Sequence, residues 1–461
     1  MSSALTPAIA ANRFGLGARP GELGRIGTAA PEWLRAQLRG GAPTLPDTEL
    51  KGSAEALREA LDLRRELQAA RRADPGGAQQ KLGDFLRPLY LAEANARLRA
   101  AVDSERPFLE RLVHFWANHF AVSVDKQLLA GLAGPFEREA IRPHVLGPFR
   151  ELLRAAETHP AMLLYLDNHL SLGPHSRAAE RRARRDPAQR AGLNENLARE
   201  ILELHTLGVG GGYTQSDVTR FAEVLTGWSL GTGAGPLAAG EPGRFLFRPE
   251  LHEPGARTVL DTRYPDSGFA QGTAVLDDLA RHPATARHIA TKLARHFIAD
   301  EPPEPAVRHI AAAFVATEGD LPAVYGALIE AQAAAPQPLA KYKTPADFVI
   351  SAYRGLSLPA DAGPNPLAAF ELLGQRTWQP GSPAGWPDRS ADWDGASALL
   401  KRLEWAHALG ARLGSLRDAA ALAPQLLGAT LSEASARAIA HAASAAQAVT
   451  LLLATPEFMR R

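Results

Sequence analysis

Helical periodicity constrains this chain more than any other feature. Along most of its 461 residues, apolar positions recur at three- and four-residue spacing. Ala, Leu, Arg and Glu, all good helix formers, fill much of the remainder. The pattern predicts helices over 31–39, 52–74, 78–101, 106–121, 136–155, 159–166, 194–207, 215–228, 269–281, 283–299, 304–316, 320–332, 344–355, 364–373, 394–409, 431–441 and 443–453. Strand signals are confined to Phe245–Phe247 and Arg257–Leu260, around Pro249 and Gly255, and predict one short hairpin. No βαβ alternation and no fixed-period repeat is present. The expected fold is therefore all-α, a multi-helix globular protein with at most one small β-hairpin. A single large helical domain spans 1–461, and an N-terminal helical subdomain over 1–103 is the one division the pattern suggests.

Composition narrows the chemistry. The absence of cysteine excludes disulfides, thiolate zinc sites, iron–sulfur clusters and a cysteine nucleophile. Any metal site must be built from His, Asp, Glu and neutral oxygens. Lys and Arg number 51 against 50 for Asp and Glu, a net charge of +1 that argues against a polycationic nucleic-acid binder. No run of uncharged apolar residues is long enough to span a membrane. Met1–Asn12 lacks the basic start of a leader, so a soluble, cytoplasmic protein is expected.

Three stretches read as irregular. Leu172–Gly192 holds a basic loop, 177–190, without the interleaved aromatics of a nucleic-acid groove. Gly231–Thr262 is rich in Gly and Pro. Leu373–Trp393 carries Trp378, Trp386 and Trp393 among prolines and reads as an exposed loop able to dock a partner.

Candidate chemistry concentrates on Asn194–Gly208. On a helix at 100° per residue, Glu195, Asn196, Arg199, Glu200 and Glu203 share one arc, opposite Leu197, Ile201, Leu204 and His205. Glu200 and Glu203, one turn apart, can share a cation or act as an acid/base pair. The competing reading is a solvated i, i+4 charge ladder. Gly208 and Gly210–Gly212 then stop the helix, and Thr214 with Asp217 makes a capping-box start for the next. On helix 106–121, Glu110, Arg111, His114 and Asn118 share a face, while His119 lies with Leu112 and Phe115, where a satisfied core histidine is the ordinary outcome. Glu137-Arg138-Glu139 and Arg142-Pro143-His144 pack acid, guanidinium and imidazole closely. His288, Lys292 and Arg295 form a cationic stripe at i, i+4, i+7, suited to an anion but ordinarily solvated. His252 and Glu253 sit on a loop, where functional side chains are often presented. No G-x-S-x-G elbow, P-loop, kinase signature or H-E-x-x-H motif occurs.

Several segments together carry a resemblance. Near the start stands Arg13-Phe-Gly-Leu-Gly17, followed by Phe115-Trp-Ala-Asn-His-Phe120, Phe136–Glu139 with Ile141-Arg142, and His159–Met162 through Leu166–Asn168. The most specific piece is Asn194–Gly208, followed by Tyr213-Thr214, Asp217-Val218 and Thr226–Trp228. His282-Pro283, Lys292-Leu293, Arg295–Phe297, Lys343–Pro345 and Gly385–Pro387 continue it. Over nearly its whole length the chain resembles the bacterial domain-of-unknown-function family eighteen-hundred. That family has no established reaction. Its members are often encoded beside a family that resembles exported, sulfatase-like proteins, which implies a partner rather than a chemistry. The family's motif-rich helix falls on Glu195, Arg199, Glu200 and Glu203 here, which strengthens the expectation of a site at these residues.

The leading expectation is a metal-dependent or acid/base hydrolase-like enzyme acting on an anionic or polyhydroxylated substrate. Its site would lie between helices 106–121, 136–142, 194–207 and the loop bearing His252. Glu200 and Glu203 would serve as the acid/base pair or ligands, with Arg199 and Arg142 orienting substrate. His119, Glu139 and His252 would hold a divalent ion such as Zn²⁺, Mn²⁺ or Fe²⁺. The rival expectation is a non-catalytic helical partner or scaffold for the neighbouring sulfatase-like protein.

Overall fold

The computed structural model describes all residues except 1–4, 43, 46–48, 72–74, 186–191, 232–239, 335–338, 340 and 362–364. It is all-α in class, as the periodicity predicts. The elements that position the site are α1 (Ser53–Arg71), α2 (Pro75–Asp103), α3 (Pro107–His119), α4 (Phe149–Glu157), α5 (Asn196–Glu200), α6 (Gln215–Leu225), α7 (Phe269–Arg281), α8 (Pro283–Phe297), α9 (Glu304–Ala316), α10 (Leu321–Ala334) and α11 (Pro345–Gly355).

Helix starts follow the local chemistry. α3, α8 and α11 carry Pro in the first turn, where its missing N–H leaves no bond unmade. Thr214 and Asp217 form a reciprocal capping box on α6. In both His-Pro pairs the imidazole is the cap. His282 Nδ1 accepts from Ala284 N and His159 Nδ1 from Ala161 N, each at 3.1 Å.

Two expectations are corrected here. The expected hairpin between 245–247 and 257–260 does not form. β2 (Phe245–Phe247) pairs antiparallel with β1 (Trp228–Leu230), and β3 (Arg257–Val259) pairs with β4 (Thr262–Tyr264). Trp228 meets Phe245 edge-on at 5.7 Å, which draws β2 to β1. β3 turns back at Leu260 and Asp261, whose φ values of 49° and 61° are those of a type I′ turn. The basic segment expected as a loop is a helix over Arg177–Arg185, with 181–185 exposed; its remaining residues, 186–190, lie outside the described ones.

Helix 194–207 also departs from a uniform α-helix. α5 passes into a π-helical turn over Ile201–His205, and two more such turns occupy Ala10–Phe14 and Glu137–Ile141. A π turn inserts a residue into the helical phase. His205 here points into the core beside Glu157, 2.7 Å away, both side chains fully buried.

One hydrophobic cluster runs from Leu5 to Met459. α8 packs on α9, and α9 on α10. Phe108 meets Phe14 and Phe297 edge-on at 5.4 and 5.7 Å, joining α3 to α8. Trp116 donates to Tyr325 at 2.6 Å, and Tyr325 donates to Val145 O at 2.9 Å, which fixes α3 against α10. Among the described residues no helix is long and apolar enough to cross a membrane.

Candidate functional site

α3 and α8 face each other across a cavity of about 360 Å³. From α3 come Arg111, His114, Phe115, Asn118 and His119; from α8 come Lys292, Arg295 and His296. The first turn of α11 contributes Thr344 and Asp347, and the segment 375–393 closes the far side with Trp378 and Trp386.

That segment is pinned as a wall. Asn118 donates to Trp386 O at 2.9 Å and accepts from Trp386 N at 2.7 Å. Gly385 is required beside this contact. Its φ is +82°, and a Cβ would stand 2.3 Å from Asn118 O. Val124 N donates to Trp378 O at 2.9 Å, and Tyr90 donates to Thr377 O at 3.1 Å. The loop expected at 373–393 lends Trp378, Trp386 and their neighbours to the cavity wall, while Gly381, Ser382 and Arg389 stay exposed.

Beneath lies a network of buried charge. Asp347 pairs with Arg111 at 3.0 Å and with Arg461 at 3.1 Å. Burial raises the Asp347 carboxyl, but these two guanidiniums outweigh it and hold the group well below the usual carboxylate range. Asp388 accepts from His296 Nδ1 at 2.9 Å and lies 3.6 Å from Arg461 and 3.8 Å from Lys341. Lys341 also pairs with Asp300. Burial pushes His296 down to about 4, against the pull of Asp388. The imidazole is therefore neutral, a donor at Nδ1 whose Nε2 faces Arg111 at 3.5 Å. Arg111, Arg461 and Lys341 pair with these three carboxylates, and buried Lys343 stands near Asp347, its ammonium lowered to about 7 chiefly by burial.

The α8 wall is not balanced. Lys292 makes no hydrogen bond or ion pair among the described residues. Burial, with the Arg295 charge adding to it, lowers its ammonium to about 8 although Asp388 pulls the other way. Among the described residues Arg295 is tied only through Nε, which donates to Asp300 O at 3.3 Å. His119 Nε2 donates to His205 O at 3.1 Å, which leaves the lone pair on Nδ1, and that atom has no partner. Burial, then the charge of Lys292, keeps His119 neutral. The cavity thus offers two uncommitted cations, a neutral imidazole and aromatic walls. This set suits a small anion with a ring or chain attached.

The other sequence-predicted residues lie elsewhere. Arg142 is locked to Glu110 by two bonds of 2.6 and 2.7 Å, both side chains buried, so its terminal nitrogens are committed. Glu139 caps α1, accepting from Ser53 N at 2.8 Å and Ser53 Oγ at 2.6 Å, and it also accepts from His159 at 3.2 Å. His252 Nδ1 donates to Thr226 O at 2.9 Å. Glu253 accepts from His175 and Arg257. His119, Glu139 and His252 are not brought together, and no group of three or more such residues able to hold a metal ion occurs among the described residues. Arg199 bonds Glu195 at 3.1 Å and Gln215 at 2.9 Å. Glu203 accepts from Tyr213 at 3.3 Å. Glu200 is half-buried, and burial raises its carboxyl. Neither Glu200 nor Glu203 lines the cavity. Of the seven, only His119 does.

The residues that sequence reasoning underweighted are Lys292, Arg295, Asp347 and Asp388. A signal for the first two existed. The segments Phe115–Phe120, Lys292–Phe297, Lys343–Pro345 and Gly385–Pro387, far apart in the chain, all belong to the family resemblance and meet at this cavity. No curated protein and no solved structure matches the chain. A family model described as a protein of unknown function, DUF1800, matches residues 9–460, and the chain belongs to that family.

Proposed function

We propose that the protein is an acid/base enzyme whose site is the cavity between α3, α8 and the 375–393 wall, and that its substrate is a small anion. One observation carries the reading: four separated family-matching segments converge on a cavity holding two cations, Lys292 and Arg295, that have no carboxylate partner among the described residues. Partly buried charge without a counter-ion is costly, and a bound anion removes that cost. In this reading Arg295 receives a carboxylate or phosphate in its planar fork. Lys292 and His119 exchange protons with the substrate, and Trp386 and Phe115 exclude water. The hydrolase-like chemistry first expected at Glu200 and Glu203 moves here, with the anionic substrate class retained.

The test is thermal unfolding of the full chain against inorganic phosphate, small carboxylates, sugar phosphates and neutral polyols. Anionic compounds are expected to raise the melting temperature, and Arg295→Gln to abolish the rise. A rise with neutral polyols alone, or one that survives in Arg295→Gln, contradicts the reading.

A further inference from the structure

The chain contains seven lysines against forty-four arginines. Most of the lysines have evident structural roles or face solvent. Lys51 pairs with Glu55 and Glu59, Lys126 with Asp167, and Lys341 with Asp300. Lys343 donates to Ser351 at 3.0 Å and lies over the Phe458 ring at 4.1 Å. Lys81 and Lys401 are exposed. Lys292 alone is half-buried, without a partner among the described residues, and at the wall of the cavity.

An ammonium is a poor substitute for arginine as an anion clamp, but unlike arginine it can lose its proton and become a nucleophile. The surroundings favour that loss. Burial disfavours the charge, Arg295 stands one turn further along the same helix face, and among the described residues no carboxylate forms an ion pair with Lys292, although Asp388 pulls toward the charged form from further off. The neutral imidazole of His119, with its unpartnered Nδ1, lines the same cavity.

We propose that Lys292 is a covalent nucleophile that forms an imine with the carbonyl carbon of a small anionic aldehyde or ketone, its acid group held by Arg295. The inference rests on the cavity being the anion site proposed above and adds the carbonyl to the substrate's description. The step balances without a redox partner. The neutral amine's lone pair attacks the carbonyl carbon, and the C=O π electrons go to oxygen, which takes up the amine's proton through His119 to give a carbinolamine. The nitrogen lone pair then expels that oxygen as water, carrying the second amine proton, so amine plus carbonyl become imine plus water. The lowering of Lys292 to about 8 is consistent with a sizeable unprotonated share at mildly alkaline pH.

The experiment incubates the full-length protein with glyoxylate and sodium cyanoborohydride, then maps adducts by peptide mass spectrometry. One carboxymethyl group is expected on Lys292, well above the level on Lys81 and Lys401, and excess inorganic phosphate is expected to suppress it. Acetaldehyde, which lacks the anion, is expected to label Lys292 no faster than the exposed lysines. Lys292→Arg keeps the charge, loses the adduct and still responds to phosphate in thermal unfolding; Lys292→Met provides a second variant should the bulkier side chain not be accommodated. If Lys292 is labelled no faster than the exposed lysines while phosphate still stabilises the protein, the imine proposal is overturned and the anion site stands. If phosphate neither stabilises the protein nor suppresses labelling, the anion site itself is overturned.

Discussion

Two charged faces of this molecule, α5 with its π turn and the inner face of α8, invite comparison. The first is the more conspicuous in sequence, with Glu195, Arg199, Glu200 and Glu203 on one arc. In the fold its charges are mostly spent locally: Glu195 on Arg199, Gln215 and Thr219, and Glu203 on Tyr213. The second reads as an ordinary solvated stripe, yet α3, α11 and the 375–393 wall enclose Lys292 and Arg295, which form no ion pair among the described residues. Density of charge along a helix does not mark a site. On the proposed reading, what marks it is charge that the fold has enclosed and not paired.

Substitutions should separate the two faces, and the largest effect is expected in the floor beneath α8. Asp347→Asn leaves Arg111 and Arg461 buried with an uncompensated charge and should cost about 3–5 kcal/mol in denaturant unfolding. A cost below about 1 kcal/mol would mean that the floor tolerates unpaired charge, and the contrast with α5 would collapse.

Next comes the wall. Gly385→Ala places a Cβ against Asn118 at a positive φ and should cost about 1–3 kcal/mol while loosening the Trp386 contact. Phosphate stabilisation should fall with it. Unchanged stability and phosphate response would show that the wall does not shape the site.

Acid should weaken the fold, through the α8 histidines among others. His288 and His296 fall from 6.5 to about 4 through burial. Between those limits the unfolded chain takes up protons that the folded chain refuses, so stability is fully present above about pH 6.5 and is lost as the pH falls toward 4. Asp347 and Asp388, depressed in the fold, extend the loss below the ordinary aspartate range. Unfolding free energy measured from pH 8 to 4 checks the sign; stability that is flat or rising toward pH 4 contradicts neutral burial of these histidines.

The smallest effect belongs to α5. Glu200→Gln with Glu203→Gln should change stability by no more than about 1 kcal/mol, because both groups are partly exposed and burial already disfavours the Glu200 charge. A larger loss, or a lost phosphate response, would return the site to α5.

Much of the fold is legible in the sequence because it depends on local chemistry. The helices expected at 106–121, 215–228 and 283–299 appear as Pro107–His119, Gln215–Leu225 and Pro283–Phe297, bounded by prolines and the Thr214–Asp217 box. His205 does fall on the inward face that helical spacing gives it, although a π turn carries it there. What is not local was misjudged. The partner of Phe245–Phe247 is set by where Trp228 packs. The site falls in the same class. The i, i+4, i+7 spacing puts Lys292 and Arg295 on one face, but only the fold says what covers that face. Glu139 and Arg142 look like site residues for the same reason in reverse: their partners Ser53, His159 and Glu110 lie outside the short motif that contains them.

The most direct test of the central claim is titration calorimetry of inorganic phosphate against three full-length proteins: the native chain, Arg295→Gln, and the Glu200→Gln, Glu203→Gln double variant. The account predicts binding to the native chain, equal binding to the double variant, and at least about a tenfold loss in Arg295→Gln, the scale set by one charge-assisted contact. Binding that survives in Arg295→Gln and fails in the double variant would contradict it.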